Sequence, residues 1–150
     1  LKKGKDITII SLSYMTLECF EAAKILKNFG IDAEIIDIST ISPLDKKTII
    51  KSLTKTKRAL VADTSNSFCG ISSTIDSIIN QNINNLKNKV EIVSLPFSPE
   101  PTSHQLVKYF YNDKYTIVRK VFKIFKINKK IKIEKNIKPD VPGSWFQGPF

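Results

Sequence analysis

A chain of 150 residues with 41% hydrophobic and 25% charged side chains fits one domain able to bury about two-thirds of the surface its unfolded form exposes. No apolar run approaches the roughly 20 residues that span a bilayer, and no basic-then-apolar leader opens the chain, so the reading is of a soluble domain without a membrane partner. The net charge of +10 suggests nucleic acid, but residues 1–118 hold 15 basic and 12 acidic side chains against 9 and 2 in residues 119–150, only Arg58 and Arg119 are arginines, and no helix-turn-helix, finger or aromatic platform accompanies the lysines; nucleic acid is not expected as a partner.

The chain opens Leu1-Lys2-Lys3-Gly4-Lys5 and runs almost directly into an apolar stretch, as a segment cut at a linker would. Residues 6–13 (DITIISLS) are rich in isoleucine and too short for a helix, which predicts a strand buried on both faces. Over residues 16–29 the period changes. Met15, Cys19, Ala22, Ala23 and Leu26 share one helical face, with Glu18, Glu21, Lys24 and Lys27 expected largely opposite and Gly30 just past the end. Residues 33–38 read as a second strand, and Pro43-Leu44-Asp45 opens a helix through Leu53 with Asp45 as its cap and Ile49, Ile50 and Leu53 inward. Residues 58–63 are a third strand. A polar turn and Gly70 lead into a helix striped with Ile71, Ile75, Ile78 and Ile79, and residues 90–94 make a fourth strand. Strand–helix alternation of this kind implies a mainly parallel sheet with helices on both faces.

Three prolines make residues 95–101 a rigid connector. Residues 103–110 read as a short helix and 114–125 as a longer one that buries Val118, Val121, Phe122 and Phe125. The domain is expected to close there, leaving residues 126–150 as a basic arm rich in proline and aromatics. On one reading its Trp145, Phe146 and Phe150 pack on the domain's own surface; on the other they dock a partner, since exposed Trp and Phe are residues that interfaces favour.

Chemistry is sparse. Neither a phosphate-binding loop with its lysine nor a three-glycine dinucleotide fingerprint occurs. Cys19 and Cys69 have no companions at metal-ligand spacing, so neither a disulfide nor a metal site is assigned, and both are expected as buried or half-buried thiols in a reducing compartment. The single histidine, His104, follows Pro-Thr-Ser at a helix start, and nothing pairs it with either thiol. Asp63 ends the third strand, where parallel sheets present ligand-binding groups; alternatively Asp63, Thr64 and Ser65 cap the next helix or order the turn. No catalytic, cofactor-binding or metal residue is assigned.

The ordered series Gly4-Lys5-Asp6, Glu21-Ala22-Ala23-Lys24, Gly30-Ile31, Ile36-Asp37, Thr40, Pro43-Leu44-Asp45, Thr48-Ile49, Lys55-Thr56, Gly70 and Pro99-Glu100-Pro101-Thr102-Ser103 with Leu106 and Tyr109 resembles the carboxy-terminal domain of 2-oxoacid dehydrogenase beta subunits and their transketolase-superfamily relatives. The likeness covers residues 4–121. It departs where Ile38-Ser39 stands in place of a common Leu-Arg, and in the turn after the third strand, which has less glycine. The resemblance implies a three-layer α/β/α domain over residues 1–125 with a mixed, mostly parallel five-stranded sheet. The fifth, antiparallel strand would come from residues 115–118, 95–97 or the Ile-Lys stretch at 127–137. It further implies an assembly role in an enzyme whose thiamine diphosphate and divalent metal, magnesium, sit between other domains; the location expected is cytoplasmic, with an organellar leader on an upstream part as the alternative. Implied partners are a second copy or an alpha subunit, and an acyltransferase core.

Overall fold

The structure is a computed structural model that describes residues 1–133. The apolar run after Asp6 forms β1 (Ile7–Ser11), buried at every position because helices cover both faces of the sheet it lies in. Its neighbours are β2 (Ala33–Asp37), β3 (Ala59–Asn66) and β4 (Glu91–Leu95), in the order β2-β1-β3-β4 with every pairing between them parallel. The connecting helices are α1 (Met15–Lys27), α2 (Lys46–Thr56) and α3 (Ile71–Asn82), and the chain continues through α4 (His104–Phe110) and α5 (Lys114–Phe125).

Side chains alternate across a strand, so β1 feeds two cores. Ile7 and Ile9 join Cys19, Ala22, Leu26, Ile117, Val118 and Val121 beneath α1 and α5, and Ile10 joins Ile49, Leu53, Ile75 and Ile79 beneath α2 and α3. Each fully buried Ile or Leu contributes about 1.5–3 kcal/mol. The Phe29 and Phe122 rings meet edge to face, 4.9 Å between centroids, and lock α1 to α5. Thr8, facing α2 among these apolar neighbours, is satisfied by the hydroxyls of Ser52 and Thr56, each 2.7 Å away.

Local chemistry sets the helix ends. Asp45 caps α2 by accepting from the Thr48 N–H at 3.1 Å, and Asp113 caps α5 by accepting from the Thr116 N–H at 2.8 Å. Gly30, just past α1, has φ +77°, a conformation that favours glycine. Gly4 is needed for a different reason: a Cβ there would lie 2.3 Å from the backbone of Ala33.

Two expectations about the sheet are corrected. Among the described residues it has four strands rather than five, and none of the four is antiparallel. Residues 115–118 are helical, since the Asp113 cap starts α5 and the spacing of Val118, Val121 and Phe122 fits one helix face. Leu95 is the last residue of β4, and residues 127–133 form no strand. The antiparallel contact present is at the other end of the chain, where Lys2 and Ile35 exchange backbone bonds at 3.2 and 2.8 Å along the β2 edge. After α5 the chain turns back on the core: the Ile127 N–H bonds the Phe122 carbonyl at 2.9 Å, and Ile127 and Ile131 pack against the α1–α5 cluster.

Candidate functional site

In a parallel sheet with helices on both faces, ligands and partners meet the carboxyl ends of the strands, here Ser11, Asp37, Asn66 and Leu95. Beyond β1 and β2, the Thr16 hydroxyl lies 3.1 Å from Ser11 Oγ and donates to Asp37 Oδ1 at 2.8 Å, and the Ser11 hydroxyl reaches the Ile36 carbonyl at 3.2 Å. Cys19 is fully buried under this cluster, and burial pushes its thiol pKa well up, away from nucleophilic use. Cys69, in contrast, is exposed at the turn before α3, with φ +56°, so the expectation of two buried or half-buried thiols is corrected for this one.

Asp63 is buried at the end of β3 and its carboxylate is fully engaged. Oδ1 accepts from the Ser65 N–H at 3.0 Å; Oδ2 accepts from the Ser65 hydroxyl at 2.5 Å and from the Ser72 N–H at 3.3 Å, in the first turn of α3. Gly70 lets the chain close over it, because a Cβ there would lie 2.4 Å from the Asn66 carbonyl oxygen and 2.6 Å from Ser65 Oγ. The arrangement orders a turn and satisfies a helix N-terminus; it offers no free carboxylate to solvent.

The rim is aromatic. Asn66 of β3 pairs with Leu95 of β4, and two residues beyond each stand Phe68 and Phe97, 65% and 71% exposed, with ring centroids 5.1 Å apart. Beside α4, Tyr111 donates to the Glu100 carboxylate, and that bond raises the Tyr111 pKa. His104 is the first residue of α4, as its position after Pro-Thr-Ser predicts. Trp145, Phe146 and Phe150 lie outside the described residues.

Glu18 is a residue that periodicity misses. Placed by spacing on the outer face of α1, it is buried, its Oε1 accepting from the Tyr14 hydroxyl at 3.0 Å and its Oε2 from the Lys114 N–H at 2.7 Å. It ties the first turn of α1 to the first turn of α5. Burial first, then the Glu18 charge, drives the Tyr14 pKa far up, so the phenol stays protonated as donor. The signal was the i, i+4 pair Tyr14/Glu18, but the backbone partner at Lys114 is invisible in a linear reading.

Among the described residues no three His, Cys, Asp or Glu side chains are grouped to hold a metal, and no helix is long and apolar enough to cross a membrane. The polar groups at the strand ends bond one another, while the surface above β3 and β4 presents rings, which is the chemistry of a contact face.

Comparison with known proteins places the chain in a family. The family model described as transketolase, C-terminal domain, matches residues 1–117. The chain is 36% identical over 107 residues to the acetoin:2,6-dichlorophenolindophenol oxidoreductase subunit beta of Cupriavidus necator, covering 71% of this chain and 32% of that one. It is 37% identical over 125 residues to the pyruvate dehydrogenase E1 component subunit beta of Rickettsia bellii, covering 83% and 38%. A solved split-gene transketolase, described as an inactive beta4 tetramer, superposes with a TM-score of 0.73 at 26% identity, covering 85% of this chain and 42% of that one. The chain thus spans about a third of the length of the curated relatives it matches.

Proposed function

The chain belongs to the transketolase C-terminal domain family, and from that premise we propose that it is a non-catalytic assembly domain of a thiamine-diphosphate-dependent 2-oxoacid dehydrogenase beta subunit or transketolase-like enzyme. It builds contacts with a second copy or an alpha subunit, and in a dehydrogenase complex it helps seat an acyltransferase core. Decarboxylation and acyl or ketol transfer belong to other domains of such an enzyme. The observation that carries the reading is the exposed Phe68–Phe97 pair at the strand ends, where an α/β enzyme would place its ligand groups.

The described residues do not fit thiamine diphosphate. The α3 N-terminus, the nearest thing to a phosphate cradle, is filled by the Asp63 carboxylate, and the space beside the Gly70 Cα is taken by the Asn66 carbonyl and the Ser65 hydroxyl. Sedimentation equilibrium combined with thiamine diphosphate titration tests the proposal. The expected result is a mass that rises with concentration toward a multiple of 17.0 kDa and no saturable heat of cofactor binding. A strict monomer at every concentration, or saturable cofactor binding to the chain alone, would overturn it.

A further inference from the structure

The second half of α5 and the segment that follows enclose a groove of about 480 Å³ on the face away from α2 and α3. Its apolar lining is Phe122, Ile127, Ile131 and Ile133, of which Ile133 is 49% exposed. Arg119, Lys123, Lys129 and Lys130 supply its charge, with no acidic residue in the lining among the described residues. The setting is strongly basic: residues 119–133 hold seven cations and no carboxylate, and Glu134 is the next residue in the chain.

Part of that charge has a local use. Lys123 is bonded to Glu91 at 3.0 Å, its place in the last turn suits the helix dipole, and the Lys129 ammonium stands 5.7 Å from the Phe29 ring centroid. Arg119 lies in mid-helix and Lys130 beyond the helix end. Both are exposed, and neither makes an ion pair among the described residues. Unpaired cations beside half-buried isoleucines call for a ligand that brings carboxylates and aliphatic groups together. The lining does not suit nucleic acid, since its one ring, Phe122, is buried with Phe29 against it and leaves no open face for a base. A bilayer is a poor fit because the isoleucines line a concavity rather than project from one face.

We propose that this groove docks an acidic amphipathic segment of a partner polypeptide. Its carboxylates lie on Arg119 and Lys130, and its aliphatic side chains rest against Ile127, Ile131 and Ile133. The inference goes beyond the assembly reading and shares no residue with the Phe68–Phe97 face.

Fluorescence anisotropy of the full chain with three labelled synthetic helical peptides tests it: Glu and Leu in amphipathic spacing, the same with Leu replaced by Ser, and the same with Glu replaced by Lys. The Glu–Leu peptide is expected to bind about tenfold or more tighter than either control, and Arg119→Glu or Lys130→Glu to weaken it by about tenfold. Charge reversals of equal size on the opposite face, Lys47→Glu and Lys51→Glu, are expected to change it less than about twofold, because screened distant charges contribute little. Equal binding of the Glu–Ser peptide, equal loss from the α2 reversals, or tighter binding of single-stranded DNA or phosphatidylserine vesicles through Arg119 and Lys130 would overturn the proposal. So would absence of binding. Phe68→Ser with Phe97→Ser is expected to leave peptide binding unchanged, which separates failure here from failure of the assembly reading.

Discussion

Asp63 stands where a parallel sheet would offer a ligand group, yet its three accepted hydrogen bonds all come from Ser65 and Ser72. Removing it strands the Ser65 and Ser72 N–H groups at the head of α3. Asp63→Ala should therefore cost about 2–3 kcal/mol in a urea denaturation series, with self-association unchanged at concentrations where the protein stays folded. A loss of ligand or partner binding without a loss of stability would return the residue to function. Both readings of Asp63 were open in the sequence, since Ser65, Gly70 and Ser72 signal a turn but not which donors converge on one carboxylate. Glu18 was less legible still: helical spacing assigns it to solvent, and only the fold brings the Lys114 N–H within 2.7 Å.

At the scale of elements, α5 is tied to the edge strand β4 by Lys120 and Lys123, both 3.0 Å from the Glu91 carboxylate. Burial alone would raise the Glu91 pKa, but bonds to Lys123 and Lys120 outweigh it together and hold the pKa below the ordinary glutamate value. A depressed folded pKa means that the contribution is complete above the unfolded value and disappears as pH falls through the folded one. Wild type should thus exceed Glu91→Gln in urea stability at neutral pH, with the gap closing as the pH falls below the ordinary glutamate range and through the depressed Glu91 pKa. A gap that persists in acid would place the effect in packing rather than charge. The helices and strands themselves were readable because their periods differ and some caps are local: Asp45 and Gly30 sit at boundaries that the sequence marks. The fifth strand was not. It was expected from resemblance, and over residues 115–118 the β-branched composition competes with a helix cap that wins.

For the whole molecule, the family could be read from an ordered set of short motifs, but the exposed aromatic pair could not, because Phe68 and Phe97 belong to different turns that only the β3–β4 pairing brings together. Replacing both with serine should raise the dissociation constant for self-association by about tenfold or more, as loss of paired aromatic anchors does, with circular dichroism unchanged; sedimentation measures it, and an unaltered constant would move the interface elsewhere. The Thr8 trio with Ser52 and Thr56 also bears on how the chain finds a single arrangement. β1 lies between two apolar cores, so sliding it by one position against its neighbours would merely trade one isoleucine-lined surface for another, and greasiness alone distinguishes the alternatives poorly. The slipped alignment, however, would turn the Thr8 hydroxyl into the opposite core, away from both partners, at about 1–3 kcal/mol for each polar group left bare. Three small hydroxyls thus act as the key that tells correct alignment from a near miss.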